Sequence, residues 1–266
     1  MKSIRPALLA LTAGFTILTC NAADPSASAS TSRADQVLRA MSSRLASAGS
    51  FSFAARRHSH GALIPGRAIP EEARIAVTVL RPDGILAKST SPGDVRTFTF
   101  DGHALTVLDV TKNCYGTVPL HGSIDSLLVD AEARYGLMLP LGELAVSNPY
   151  DDIRHKAQSI AYLGRSRVWS GFMGAQEIEC DRIQLRGRAV DAELWVGTGD
   201  HLPRKLVVSF KHHPGHPNLT PDISSWNLAP QVKAADFVFH PPKGAVKIPI
   251  MTTAEIQAGR VRAPKK

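Results

Sequence analysis

Ala73-Arg74-Ile75-Ala76-Val77-Thr78-Val79-Leu80-Arg81-Pro82-Asp83-Gly84 places an apolar residue at every second position and then a turn. Successive side chains of an extended chain point to opposite faces, so Ile75, Val77 and Val79 share one face of a strand. Pro82-Asp83-Gly84 then reverses the chain. The same unit recurs downstream, where Phe98 and Phe100 lead into Asp101-Gly102, a strong two-residue hairpin signal. Leu105 and Val107 follow, with a return strand around Tyr115, and upstream Phe51 and Phe53 alternate with polar residues. These segments predict an antiparallel meander with one buried face and one wet face.

Outside the meander the period changes. Ala34, Val37, Leu38, Met41 and Leu45 recur at helical spacing, with Ser32 as an N-cap, Asp35 three residues on, and Ala48-Gly49 as the stop. Past Tyr115, residues Ile124, Leu127, Leu128, Ala131 and Tyr135 fall on one helical face closed by Gly136. Pro140 opens a second short piece through Leu144, and Pro149-Tyr150-Asp151-Asp152-Ile153 starts a third. Strands resume near Ile160-Ala161-Tyr162-Leu163-Gly164, then at Val190-Asp191-Ala192-Glu193-Leu194-Trp195-Val196 and at Leu206, Val208 and Phe210. A final strand is expected to hold Phe237 and Phe239 before Pro241-Pro242 stops it. No internal repeat is visible. A sheet of about ten strands tends to curl. The expected fold is mainly β (α+β): a half-open, strongly curved antiparallel sheet, an incomplete barrel, with a helical lid.

The N-terminus sets the compartment. Met1-Lys2-Ser3-Ile4-Arg5 precedes the apolar run 7–18, which is short for a bilayer span, and then Cys20-Asn21-Ala22-Ala23. That order marks a cleaved secretory signal over residues 1–23 and a periplasmic product. Alternatively, Ile17-Leu18-Thr19-Cys20 loosely resembles a lipobox, and Cys20 would become a lipid anchor. Residues 24–33, opening Asp24-Pro25-Ser26-Ala27-Ser28, read as a flexible linker, 34–245 as a single domain, and 246–266 as a basic tail. Loss of Lys2 and Arg5 lowers the net charge from +8 to +6, still basic enough to attract anionic head groups. The charges are scattered and no nucleic-acid module is present. Cleavage leaves Cys114 and Cys180, a candidate disulfide if their strands are neighbours.

Catalytic patterns are missing: there is no Gly-x-Ser-x-Gly elbow, no His-Glu-x-x-His and no phosphate-cradling glycine loop. Asp151-Asp152 belongs to a helix start, where carboxylates favour the positive dipole end. His212-His213-Pro214-Gly215-His216 and His58-Ser59-His60 lack the rigid scaffold of a metal site. Neither a metal nor another cofactor is expected. Asp191, Glu193 and Trp195 share a strand face, with Arg204 and Lys205 as cross-strand charge partners. The candidate cavity-lining residues are Phe51, Phe53, Ile75, Val77, Val79, Phe98, Phe100, Leu194, Leu206, Val208 and Phe210, with Leu127, Leu128 and Leu141 from the lid. A cavity and a filled core share this periodicity.

The order of motifs resembles a known family. Arg81-Pro82-Asp83, Phe100-Asp101-Gly102, Asn113 with Tyr115, Arg134-Tyr135-Gly136-Leu137 with Leu139-Pro140-Leu141, Asp191 to Trp195, Leu202-Pro203-Arg204-Lys205, Trp226, and Phe237-Val238-Phe239 with Pro241-Pro242 are similar to the predicted periplasmic proteins of the DUF2092 type. These are related in fold to bacterial lipoprotein-carrier and outer-membrane lipoprotein-sorting proteins. The resemblance spans most of residues 34–245. It implies a half-open barrel with a helical lid and an acyl-chain cavity, and places Cys180 where such proteins often carry a cysteine. A non-catalytic carrier or chaperone for a lipidated or hydrophobic ligand is the expected function, with an inner- or outer-membrane receptor as a further partner. The alternative is a regulatory sensor domain, which this chain's short basic end disfavours.

Overall fold

A computed structural model describes residues 25–60, 72–170, 176–213 and 215–259. The expected signal and its Cys20 alternative lie outside the described residues. Helix α1 (Pro25–Ala46) precedes strands β1 (Ser50–His60), β2 (Glu72–Leu80), β3 (Gly84–Ser91), β4 (Asp94–Asp101), β5 (Ala104–Asp109) and β6 (Cys114–Pro119). Helix α2 (Ile124–Tyr135), a 3₁₀ turn (Gly142–Leu144) and α3 (Pro149–Lys156) interrupt the meander. Strands β7 (Ala157–Ser170), β8 (Gln176–Gly187), β9 (Val190–Gly197), β10 (Pro203–Phe210) and β11 (Asn218–Asn227) follow. A second 3₁₀ turn (Ala234–Phe237), β12 (Val246–Lys247) and α4 (Thr253–Gln257) finish the described chain.

Among the described residues the twelve strands form one sheet in the order β12-β6-β5-β4-β3-β2-β1-β11-β10-β9-β8-β7, not closed into a barrel. Strands β1 to β6 and strands β7 to β11 each pair antiparallel in succession, while β1 joins the two meanders by pairing with β11. β12 runs parallel to β6. Gly102, at φ 85°, supplies the left-handed turn that the β4–β5 connection needs. The half-open, mainly β architecture expected from the sequence is the one found.

The apolar face divides into two clusters. One gathers Phe51, Phe53, Val77, Val79, Ile85 and Phe100 under Ile124, Leu127 and Ala131 of α2. The other gathers Leu38, Met41 and Leu45 of α1 with Ile160, Ile183, Leu194 and Val196. Trp226 packs against both, its ring tilted against Phe53 with centroids 4.6 Å apart and its indole N–H donating to the Pro203 carbonyl at 3.0 Å.

Four expectations need correction. The segment read as a linker is helical from Pro25, so Ser32 is inside α1 and caps nothing. Its alanines and serines are compatible with helix, and tertiary partners fix it. The Ser30 hydroxyl receives the Tyr162 N–H at 2.9 Å, and Arg33 pairs with the buried Asp181 at 3.1 Å. Phe237 closes a 3₁₀ turn tightened by Lys233 N–H on the Asp236 carboxylate, and no strand holds Phe237 and Phe239. That segment crosses the outer face of the sheet, with Phe237 buried beside Gly84. The stretch read as a tail begins with β12, whose backbone completes the edge of the sheet. Cys114 and Cys180 are both free. They sit on β6 and β8, with eight strands between them in the sheet order, and a disulfide requires Cα atoms within about 7 Å.

Candidate functional site

The sequence of α2 explains how the lid is placed. Ser123 caps it by accepting the Ser126 N–H, and Gly136, at φ 63°, ends it. Only Ile124, Leu127 and Ala131 of this helix are buried. Its first N–H, on Ile124, donates to the Pro82 carbonyl at 2.9 Å, so the start of α2 is anchored on the β2–β3 turn.

A polar clamp closes the other side. Arg81 donates to the carbonyls of Ala145 (2.8 Å) and Val146 (3.0 Å), and its guanidinium lies 5.5 Å from the Phe51 ring. Asp125 of α2 accepts the Ser147 N–H at 2.7 Å and the Ser147 hydroxyl. Arg81 and Asp125 therefore grip residues 145–147, the segment that leads from the lid into α3. Burial pulls the Arg81 guanidinium below its ordinary value, and the Asp125 carboxylate opposes that shift. An arginine keeps its charge through shifts of this kind. The sequence marked Arg81 only as part of a turn. Its signal was a charged residue directly after a core strand, where one long side chain can still reach inward.

The predicted lining residues divide between the halves. Phe51, Phe53, Ile75, Val77, Val79, Phe98, Phe100, Leu127 and Leu141 are buried together, with Leu128 half-buried at their margin. In this closed arrangement they pack on one another and on the lid. Leu194 belongs to the cluster under α1, and Leu206 packs at its edge. Val208 and Phe210 join neither cluster, and Phe210 meets His213 edge-on at 5.5 Å. Two clefts lie elsewhere. One of about 290 Å³ is on the outer face, between Thr99, Thr106 and Thr117 of the sheet and Phe237 and Phe239. The other, about 540 Å³, is bordered by Arg56, Arg74 and Pro92. No predicted lining residue borders either.

The remaining polar candidates have structural partners. Trp195 donates to the Ser166 hydroxyl at 2.9 Å and lies beneath Arg182, while Glu193 pairs with Arg182 at 2.8 Å and Asp191 with Arg186 at 3.2 Å. Lys205 faces Trp195 as expected, but Arg204 turns to the buried side and bonds Asp200. Asn148 caps α3 through the Asp151 N–H, and Asp152 pairs with Lys156. His58 contacts Glu72, and His212 the Arg188 carbonyl. Among the described residues no three metal-ligating side chains converge, and no helix is long and apolar enough to cross a membrane.

A family model described as a predicted periplasmic protein (DUF2092) matches residues 34–251. No curated protein matches the sequence. Similar solved structures include an uncharacterized conserved protein from Thermus thermophilus, at TM-score 0.48 and 11% identity, covering 82% of this chain and 99% of that one. The LolA superfamily protein NE2245 from Nitrosomonas europaea superposes at TM-score 0.38 with 13% identity, over 77% of this chain and 97% of that one. MucB in the Pseudomonas aeruginosa MucA/MucB complex reaches TM-score 0.41 with 10% identity, over 78% of this chain and 61% of that one. All three are distant in sequence and superpose only in part, so none transfers a ligand or a partner.

Proposed function

We propose, from the premise that the chain belongs to the DUF2092 family of predicted periplasmic proteins, that it is a non-catalytic binding protein carrying a hydrophobic or lipidated ligand beneath α2. The observation that carries this reading is the clamp of Arg81 and Asp125 on residues 145–147. It closes an apolar sheet face with a cover that buries only three side chains of its helix. Parting the clamp would free Phe51, Val79 and Phe100 for an acyl chain that replaces Ile124 and Leu127. Each methylene so buried contributes roughly 0.8 kcal/mol, so a single chain can offset the loss of the lid contacts. Exchange is then passive: the ligand selects the open state, and an acceptor with higher affinity removes it. The half-exposed charged ladder around Glu193 and Arg182 would keep the outer face soluble throughout.

Titration with an environment-sensitive fluorescent fatty acid tests this. Wild-type protein is expected to bind it, and Arg81→Ala to bind more tightly, because the closed state has lost two hydrogen bonds. Native mass spectrometry of protein purified from the periplasm would then identify the cargo. Absence of probe binding to both proteins would end the reading.

A further inference from the structure

The cleft on the outer face has a floor and a wall of different chemistry. Thr99 of β4 stands opposite Thr106 of β5, and Thr106 opposite Thr117 of β6, so three hydroxyls cross the sheet in one row. All three border the cleft, on the face opposite Phe98 and Phe100. The segment that follows β11 supplies the wall. Phe237 is buried, 3.1 Å from where a Cβ on Gly84 would lie, and further on the Lys243 carbonyl accepts the Asn113 side-chain N–H at 3.3 Å. Held at both points, this segment sets Phe239 beside Tyr115, with ring centroids 5.0 Å apart and the planes at 45°. The fold therefore builds the cleft before any ligand arrives.

The hydroxyls decide what it can hold. Those of Thr106 and Thr117 bond each other at 2.9 Å. That of Thr99 has no hydrogen-bond partner among the described residues, although Thr99 is only 6% exposed and borders the cleft. Each hydroxyl has one proton to donate and two lone pairs that accept, so the row keeps both kinds of site for a ligand. An acyl chain laid on it would leave the Thr99 hydroxyl dry and unpaired, which is unfavourable. A charged ligand meets no net field, because Asp101 and Lys247 both border the cleft and their charges oppose. The chemistry left is a neutral ligand rich in hydroxyls that also has an apolar face. A pyranose ring has both: hydroxyls for the row, and C–H bonds whose slight positive charge matches the negative face of an aromatic ring. The volume of about 290 Å³ is at the small end for small-molecule sites and matches a single ring. We propose that this cleft binds a neutral saccharide, with Thr99, Thr106 and Thr117 holding its hydroxyls and Tyr115 and Phe239 packing on the ring. The inference stands apart from the ligand beneath α2, because it uses none of the clamp or the inner face.

Saturation-transfer NMR of the protein purified from the periplasm, with glucose, galactose, mannose and N-acetylglucosamine as probes, tests it. At least one sugar is expected to receive saturation, most strongly at its ring C–H protons. Phe239→Ala should weaken that sugar's affinity about tenfold, and Thr99→Val about fivefold. Thr99→Val should also leave the thermal midpoint unchanged or raised, since the lost hydroxyl has no protein partner, and this separates lost binding from lost folding. No transfer to any of the four sugars, or full affinity in both variants, would overturn the proposal. The carrier reading is followed separately with the fluorescent fatty acid. Arg81→Ala should change fatty-acid binding and leave sugar binding alone, so each idea can fail without the other. Displacement of the fatty acid by the sugar would place both in one site and overturn the saccharide cleft.

Discussion

The two halves of the sheet are each roofed by a helix, and the roofs are built differently. α1 has Ala34, Leu38, Met41 and Leu45 fully buried over β7–β9, and its polar anchors reach distant parts of the chain. Tyr150 donates to Asp35 at 2.9 Å, Arg39 lies 4.0 Å over the Tyr150 ring, and Arg33 meets Asp181. α2 buries three side chains and takes its polar anchors from the adjoining turn and from the loop that leaves it. Each large aliphatic side chain withdrawn from water contributes roughly 1.5–3 kcal/mol. Buried apolar area, more than the number of hydrogen bonds, therefore separates a permanent cover from one that can part. α1 is integral to the fold of its half. The proposed carrier role requires that α2 lift while the strands beneath stay paired.

The sharpest way to break that comparison is to empty both roofs. Leu38→Ala should cost about 3 kcal/mol in urea unfolding, within the usual range for a fully buried leucine. Leu127→Ala removes the same atoms from α2. Its effect should appear first as faster amide exchange in residues 124–145, because a cover that buries three side chains is expected to open locally before the sheet unfolds. If both substitutions lower the global midpoint equally and leave local exchange unchanged, the two covers are equivalent and the comparison fails.

A smaller effect sharpens it. Arg81→Ala removes two hydrogen bonds to carbonyls and should shift lid closure by about 1–3 kcal/mol. Exchange should quicken in α2 and not in α1. Smaller again, Gly116→Ala would drive a Cβ into Cγ1 of Ile250. Displacing that side chain should cost about 1–2 kcal/mol, measured by thermal unfolding, with Leu38 unaffected. Its consequence should be confined to the half that α2 covers, through β12 and α4.

How much of this the sequence disclosed depended on whether partners were local. Ile75, Val77 and Val79 announced β2 because one face is buried along its whole length, and Asp101-Gly102 announced its hairpin because the turn needs a left-handed residue. α2 was legible from Ile124, Leu127 and Ala131 for the same reason. β8 stood out poorly: both Cys180 and Asp181 are buried, which breaks the alternation, and Asp181 is satisfied by Arg33, Tyr162 and Arg165. Those partners lie on other elements that no spacing rule connects to β8. The spacing of Phe237 and Phe239 imitates a strand although both border the cleft on the outer face. Of the candidate site, the apolar inner face could be read and the clamp could not, because Arg81 meets Ala145 and Val146 only after the chain has folded back across the turn.

Cys114 and Cys180 give the mildest probe of the same contrast, one in each half. Cys180 is fully buried on β8 in the half under α1, whereas Cys114 is half-buried near the β12 edge. Burial pushes the Cys180 thiol from 9.0 up to about 11, with Arg204 opposing and Asp200, Asp181 and Glu179 adding to the rise. A raised thiol value means that the folded state holds this proton more tightly than the unfolded chain does. Its stabilising contribution is complete below 9, shrinks as pH climbs past that value, and is gone above about 11. Cys180→Ala should therefore flatten the alkaline limb of a stability–pH curve and change little near neutrality. A thiol reagent at neutral pH should modify Cys114 first, and Cys180 only when the protein unfolds. Early labelling of Cys180, with Arg81 intact, would mean that the α1-covered half opens as readily as the lid.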